Sequence, residues 1–194
     1  MKDESIPDED TGGYMNKFRS FLAIFAAIAA VSLVSVTAQA AGKPDKTIEQ
    51  KVAHEINMTT NYGVFDHITF QVSGNTVTLN GAVHSLGTRS EAEGRVKSIA
   101  GVARVVNNIQ DLPPSSMDDT IRRQALRTFI AHGPGQYFWE TNPDVRIIVN
   151  HGNITLEGFV YNSGDSNTLN ILANGIPGVF TVQNNLIVGK PADR

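Results

Sequence analysis

The chain of 194 residues contains no cysteine. This absence excludes disulfides, thiolate metal sites, iron–sulfur clusters and thiol nucleophiles. It also excludes the lipidated cysteine by which a bacterial lipoprotein is tethered. Neither sign of charge dominates, since 16 Lys+Arg stand against 19 Asp+Glu, a formal net charge of -3. A broad nucleic-acid-binding surface needs a basic excess, so we expect no nucleic-acid partner.

Motifs for catalysis and for metal binding are absent as well. No Gly-rich phosphate loop precedes a predicted helix, and no serine stands in a nucleophile-elbow context. The five histidines show no metal-ligand spacing with each other or with a carboxylate; they are His54, His67, His84, His132 and His151. The sequence therefore predicts no enzyme, no metal, no cofactor and no small-molecule substrate.

The N-terminal part has the pattern of a secretory signal peptide. Lys17 and Arg19 precede an uncharged, mainly apolar stretch over residues 20–42, which includes the small-x-small sequence Ala38-Gln39-Ala40. This pattern predicts export, with residues 1–40 removed by cleavage after Ala40. The alternative is an uncleaved segment that anchors the protein in the inner membrane, since the stretch is long enough to cross a bilayer.

Residues 1–14 do not fit that pattern. They carry several acidic residues and a single basic one, Lys2, whereas a signal peptide begins with basic residues. Met15 begins a conventional signal sequence of its own. We therefore interpret Met15 as the true start of the protein and expect the precursor to lack residues 1–14.

The rest of the chain is a duplication. Residues 77–83 and 99–109 recur 77 positions later with most of their apolar residues preserved. Further upstream the offset is 73, so that Ile48 corresponds to Ile121. The second repeat therefore has about four extra residues between its first helix and its first strand.

Each repeat has the same predicted order of elements, α-β-β-α-β. Apolar residues four apart predict a first helix over about residues 45–58. Alternating apolar residues on both sides of Ser73-Gly74-Asn75 predict a β-hairpin. Ser85 is predicted to cap a second helix that ends near Gly101, and a closing strand follows.

These elements predict an α+β fold of two tandem αββαβ domains, each with a three-stranded mixed sheet and two helices packed on one face. The predicted boundaries are 45–112 for the first domain, 113–116 for a linker, 117–188 for the second domain and 189–194 for a tail. One domain of this size has a thin core, so docking would bury apolar surface of both. The sequence leaves open whether the domains dock rigidly or move about Pro113 and Pro114.

Two motifs recur in both repeats. The hairpin motif Gly-x-Val/Ile-Thr-Leu-x-Gly occupies residues 152–158 and, with its first glycine displaced to Gly74, residues 75–81. The closing-strand motif Gly-Val-x-x-Val-x-Asn-x-Ile/Leu occupies residues 101–109 and 178–186. With these motifs the repeat resembles the BON domain, a family of bacterial envelope modules, and the whole chain resembles its osmotically inducible periplasmic type. The resemblance implies a periplasmic or outer-membrane-associated protein without enzymatic activity, for which phospholipid binding is the usual proposal.

Four glycines of these motifs are predicted to be structural: Gly81, Gly101, Gly158 and Gly178. We expect them at turns, bulges or helix caps, where a side chain would be strained. A single glycine does not cradle a phosphate, so no ligand-binding role is expected for them. The second repeat departs from the family pattern in its longer loop and in its second helix region, residues 162–177, whose only charged residue is Asp165.

The inserted loop of the second repeat and the helix before it form the predicted lipid- or partner-binding site. The loop has three aromatic residues in a row, which favours a membrane–water interface. The helix adds apolar residues, and arginines that would meet anionic head groups at ~1 kcal/mol each. The predicted site is Arg122, Arg123, Leu126, Arg127, Ile130, Tyr137, Phe138 and Trp139. The alternative is that its apolar groups pack against the other domain or cover the end of their own sheet.

The sequence thus predicts an exported, non-enzymatic protein that contacts phospholipid of the outer membrane, or another envelope surface, and supports envelope integrity under stress. Two alternatives use the same apolar surface or the sheet edges. One is a periplasmic holdase-type chaperone that meets unfolded clients. The other is a protein–protein adaptor whose exposed strand edges pair with a partner.

Overall fold

The computed structural model describes residues 46–139 and 141–189, which contain two copies of one α+β unit. The first repeat consists of α1 (Ile48–Asn57), β1 (His67–Ser73), β2 (Thr76–Val83), α2 (Thr88–Lys97) and β3 (Arg104–Asp111). The second consists of α3 (Ser116–His132), a 3-10 turn (Gly135–Phe138), β4 (Val145–Asn150), β5 (Asn153–Val160), α4 (Ser163–Asn174), β6 (Thr181–Asn184) and β7 (Ile187–Val188). The predicted signal peptide, the predicted start at Met15 and the tail after Gly189 lie outside the described residues.

Each repeat forms a mixed sheet around its second strand. In the first repeat β2 pairs antiparallel with β1 and parallel with β3. In the second repeat β5 pairs antiparallel with β4 and parallel with both β6 and β7. The closing strand of the second repeat is therefore interrupted between Asn184 and Ile187. The predicted α+β fold of two tandem αββαβ units is confirmed.

The helices of each repeat bury one apolar stripe against their own sheet. In the first repeat the stripe consists of Val52 and Ile56 of α1 with Ala92 and Val96 of α2. The larger core of the second repeat includes Tyr137 and Phe138 of the inserted loop together with Val145, Ile147 and Val149 of β4. None of the described helices is long and apolar enough to cross a membrane.

Of the four described helices, α1, α3 and α4 begin with a side-chain cap and α2 does not. Thr47 and Gln50 form a reciprocal capping box at α1, and the Ser115 hydroxyl caps α3. The prediction that Ser85 caps α2 is wrong, because α2 begins after Gly87, whose φ is +88°, and has no side-chain cap. The backbone N–H groups of His84 and Ser85 instead donate to the Asp66 carboxylate, which holds this loop away from a capping geometry.

One asparagine of the repeated Asn-Asn pair forms hydrogen bonds at the outer edge of each sheet. The Asn107 side chain accepts a hydrogen bond from the Ile109 N–H at 3.0 Å, and the Asn184 side chain accepts one from the Leu186 N–H at 3.2 Å. Each of these asparagines also donates to the second helix of its repeat. The backbone N–H in the middle of either edge therefore already has an acceptor and is not free to donate to a partner strand. This weakens the adaptor alternative.

The two repeats contact each other through the loop between α1 and β1. The Ile147 N–H on the outer edge of β4 donates to the carbonyl oxygen of Val64 at 2.8 Å. Val64 and Phe65 pack against the core of the second repeat. The first repeat thus covers an edge strand that would otherwise present unpaired backbone groups.

Arg146 of β4 fixes this contact from the second repeat. Its guanidinium donates to the Gly63 carbonyl at 2.6 Å and to the Asn142 side chain, and it lies 4.6 Å from the centre of the Tyr62 ring. Arg146 is only 4% exposed. The corresponding residue of the first repeat is Thr69, so this clamp belongs to the second repeat alone.

Candidate functional site

The structure separates the eight predicted site residues into a buried and an exposed group. Arg122, Tyr137 and Phe138 are buried, at 1%, 1% and 8% exposure. Leu126 is half-buried and packs against the same core. Arg123, Arg127, Ile130 and Trp139 are exposed. The lipid- or partner-binding role of the eight residues stays a prediction, and the three buried residues are not accessible to a ligand at the surface.

Arg122 is buried because its position on α3 faces the sheet. Its guanidinium donates to the Val149 carbonyl of β4 at 2.5 Å and to the Asp119 carboxylate at 2.7 Å. The side chain therefore joins α3 to the edge strand and cannot meet a lipid head group. The corresponding residue of the first repeat is Glu49, which is exposed.

The two aromatic residues of the inserted loop cover the end of their own sheet, as in the alternative interpretation. Phe138 stacks on Phe129 of α3 with 5.6 Å between ring centres. The Tyr137 hydroxyl donates to Asp165 at 2.6 Å and accepts from the Tyr161 N–H at 2.8 Å. Burial and the hydrogen bond to Asp165 raise the pKa of Tyr137 to about 12. This tyrosine therefore stays protonated and links the loop to the start of α4.

The exposed residues define the α3–α4 face: Arg123, Arg127, Ile130, Trp139 and Ile171. Trp139 and Ile171 are 73% and 70% exposed, which is unusual for side chains of this size. Trp139 and Ile130 lie on either side of Gly135, where an added Cβ would be 3.5 Å from the indole nitrogen and 3.0 Å from the Ile130 carbonyl oxygen. Within the described part of the chain, neither arginine of this face forms an ion pair with a carboxylate.

Ile171 is the member of this face that sequence reasoning missed. It lies on α4, whose buried residues are Leu169 and Ala173. Position 171 falls between them on the opposite side of the helix. The sequence did indicate it. Ile171 does not belong to the buried stripe of α4, a nearly uncharged helix, so an exposed apolar residue is predicted there.

A groove of about 420 Å³ runs between α3 and α4 beside this face. Residues of α3 form one wall, and residues of α4 and the turn after it form the other. The lining residues are Gln124, Arg127, Thr128, Ile171, Leu172, Gly175, Ile176 and Pro177. One wall is thus polar with a single cation, and the other is apolar.

The helical face of the first repeat is ion-paired, in contrast to that of the second. The Arg95 guanidinium donates to Glu91 at 2.9 Å and to Glu55 of α1 at 3.3 Å, and Lys97 pairs with Glu93. The hydrogen bond from the Thr60 N–H and the bond from Arg95 lower the pKa of Glu91. A neutralised, hydrated face of this kind offers little to a membrane, so the two repeats differ in what their helices present.

A second cluster of charged residues lies between the repeats. His67 lines a cavity of about 220 Å³ with Asp144, Arg146 and Phe159 of the second repeat. Burial lowers the pKa of His67, Arg146 lowers it further, and Glu157 raises it. No three histidine or carboxylate side chains within residues 46–139 and 141–189 gather as the ligands of a metal would.

We expect the stability of the protein to fall between pH 7 and pH 5 because of His67. Its pKa is lower in the folded than in the unfolded chain, so the unfolded state binds the proton first as the pH falls through the ordinary value of 6.5. Urea unfolding at several pH values measures this loss. His67→Gln should flatten the slope in this window, and an unchanged slope would contradict the assignment. Glu91 and Glu93, whose pKa values are also lowered, contribute only near and below their ordinary value of 4.5.

The described chain is thus a duplicated α+β unit with one ion-paired and one amphipathic helical face. A family model for the BON domain matches this chain twice, over residues 44–110 and 118–190, and the chain therefore belongs to the BON domain family. Phospholipid binding is the activity associated with this domain, and proteins that carry it are typically associated with the cell envelope. The resemblance seen in the two sequence motifs is confirmed.

Solved structures add a distant similarity. The C-terminal domain of CdsD, the structural protein of the type III secretion system of Chlamydia trachomatis, is 14% identical, with a TM-score of 0.26, covering 76% of this chain and 100% of that chain. A second structure of CdsD is also 14% identical, with a TM-score of 0.25, covering 73% of this chain and 93% of that chain. No curated protein matches the chain.

Proposed function

We propose that this protein is an exported, non-enzymatic envelope protein that binds phospholipid peripherally through its second repeat. The observation that carries the proposal is the α3–α4 face, which combines exposed Trp139, Ile130 and Ile171 with two arginines that have no carboxylate partner in the described chain. Apolar and aromatic side chains enter the interface between head groups and acyl chains, and arginines attract anionic lipids.

The difference between the two repeats indicates which of them would contact the membrane. Ile130 of the second repeat corresponds to Asn57 of the first, and Leu172 corresponds to Arg95. The second repeat therefore has apolar groups where the first has polar or charged ones. The membrane would contact the second repeat, and the first repeat would face the periplasm and hold the β4 edge closed.

The test is co-sedimentation with vesicles of phosphatidylcholine containing phosphatidylglycerol, at low and at high salt. The double variant Ile130→Asn with Trp139→Ala should bind at least about tenfold more weakly, since each buried apolar side chain contributes roughly 1.5–3 kcal/mol. Arg123→Gln with Arg127→Gln should remove mainly the salt-dependent part, at ~1 kcal/mol for each arginine.

The matched control is Leu86→Ala, because Leu86 is an apolar residue of the first repeat that is 87% exposed. It should bind vesicles as the unmodified protein does. Equal binding by the double variant and the unmodified protein would reject the α3–α4 face. The holdase alternative predicts suppression of client aggregation without vesicle binding, and that combination would replace the lipid proposal.

Export is part of the proposal and is tested separately. The sequence favours cleavage after Ala40, with an uncleaved inner-membrane anchor as the alternative. N-terminal sequencing of the protein recovered from the periplasm distinguishes the two, since a cleaved protein begins at Ala41.

A further inference from the structure

The α3–α4 groove has the two-sided chemistry of a site for one amphiphilic molecule. Ile171, Leu172 and Ile176 form its apolar wall, and Arg127 is the one charged side chain among the described residues that line it. Its volume of about 420 Å³ lies within the range of small-molecule sites. An anion with an alkyl chain is the chemistry that fits both walls.

The corresponding place in the first repeat is occupied by protein. There Arg95 of α2 reaches Glu55 of α1 and joins the two helices. Leu172 and Thr128 take these two positions in the second repeat, so the ion pair of the first repeat has no counterpart between α3 and α4. The open groove is therefore a property of the second repeat and follows from two residue differences.

A polar atom in the groove lacks a partner. The Gln124 Oε1 atom is buried and accepts no hydrogen bond from any described residue. Buried acceptors are normally satisfied, so a donor in the groove would stabilise this oxygen once the Gln124 side chain turns toward it. Among the described residues that line the groove, none is acidic and able to repel an anion or neutralise Arg127.

We propose that the α3–α4 groove binds a single anionic phospholipid molecule. Its alkyl chain would lie against Ile171, Leu172 and Ile176, its phosphate against Arg127, and a head-group hydroxyl would donate to Gln124. The proposal rests on the proposed function and extends it, because a protein that holds a lipid monomer does more than adsorb to a bilayer.

The experiment titrates the purified protein with dihexanoyl phosphatidylglycerol below its micelle concentration and follows backbone amide shifts by NMR. Saturable binding with shifts confined to α3, α4 and the turn after α4 is expected. Dihexanoyl phosphatidylcholine should bind at least about tenfold more weakly, because its head group has no net charge and no hydroxyl. Equal affinity for both lipids would overturn the roles given to Arg127 and Gln124.

The decisive variant installs the ion pair of the first repeat, with Thr128→Glu and Leu172→Arg together. It should close the groove and weaken monomer binding by at least about tenfold. Ile171→Ser serves as a second variant, since a side chain that is 70% exposed can be changed without unfolding the core. Arg104→Gln, in the first repeat, is the charge control and should bind the monomer normally.

The outcomes separate this proposal from the proposed function. Vesicle binding without monomer binding would overturn the groove and leave the membrane proposal intact. Monomer binding that survives both groove variants would also overturn it. If the groove variants abolish monomer binding and the unmodified protein does not sediment with vesicles, the groove proposal is supported and the membrane-surface proposal is rejected. A protein that binds neither form of lipid would reject both.

Discussion

Gly158→Ala is expected to destabilise the second repeat by at least about 3 kcal/mol. Gly158 has a φ of +112°, and a Cβ built on it would lie 2.0 Å from the carbonyl oxygen of Asp144. That oxygen accepts the Phe159 N–H at 3.0 Å, so it cannot withdraw without breaking a bond between β4 and β5. The alanine therefore combines an unfavourable backbone conformation with a clash against backbone, which no rotamer change relieves.

Two other glycines calibrate this expectation. Gly74 has a φ of +57° with nothing within 4 Å of an added Cβ, so Gly74→Ala measures conformational strain alone, about 1–2 kcal/mol. Gly94 lies in α2 with open space around it, and Gly94→Ala should be neutral or stabilise by up to about 1 kcal/mol. Urea unfolding followed by circular dichroism ranks the three. A cost for Gly158→Ala no larger than that for Gly74→Ala would contradict the close-approach explanation.

Gly158 also illustrates how far the motif glycines could be understood from sequence. Its positive φ agrees with a residue that a side chain would strain. Of the expected turn, bulge or cap, its place excludes the turn and the cap, because Gly158 lies inside β5, opposite Val145 of the neighbouring strand. Gly81 has the same relation to the His67 carbonyl in the first repeat. The close approach depends on a strand pairing that a repeat pattern does not measure.

The order of elements could be predicted because each repeat is locally consistent. Apolar residues at intervals of four and of two agree with the helices and strands observed. The surface on which the repeats dock also corresponds to a difference between their sequences. Arg146 and Ile148 of the second repeat take the positions of Thr69 and Gln71 of the first. These two residues of the second repeat are buried in β4, whereas Thr69 and Gln71 are exposed. Which apolar or charged residues meet a neighbouring domain is a tertiary property, and the sequence alone left the docking open.

The predicted binding site stays a prediction, but the structure divides its residues between the core and the surface. Three aromatic residues in a row suggested one exposed cluster, but the 3-10 turn directs Tyr137 and Phe138 into the core and leaves Trp139 outside. Consecutive residues in a tight turn point in different directions, so composition could not tell them apart. The groove depends on the spacing of two helices, and the absence of an ion pair at Thr128 and Leu172 became informative only with both helices in place.

Arg122→Met is expected to destabilise the protein by about 3 kcal/mol. The variant removes the donor to the buried Val149 carbonyl and leaves Asp119 without its guanidinium partner. An unpaired acceptor inside the protein keeps its full desolvation cost, which the apolar stem of methionine does not offset. Asp119 is 38% exposed, so water relieves part of the loss on that side.

Arg123→Met, one position further along α3, separates the structural role from the lipid role. Arg123 is exposed and its only hydrogen bond within the described chain is to Thr120, so its substitution should change stability by less than about 0.5 kcal/mol. The two variants should then have opposite profiles: Arg122→Met lowers the unfolding midpoint, whereas Arg123→Met lowers vesicle binding at low salt. If Arg122→Met instead reduced vesicle binding at an unchanged midpoint, Arg122 would have to leave the core to meet lipid, and the assignment of α3's inner face would be wrong. Both profiles come from one pair of adjacent arginines, which makes this the most direct test of how the helix is oriented against its sheet.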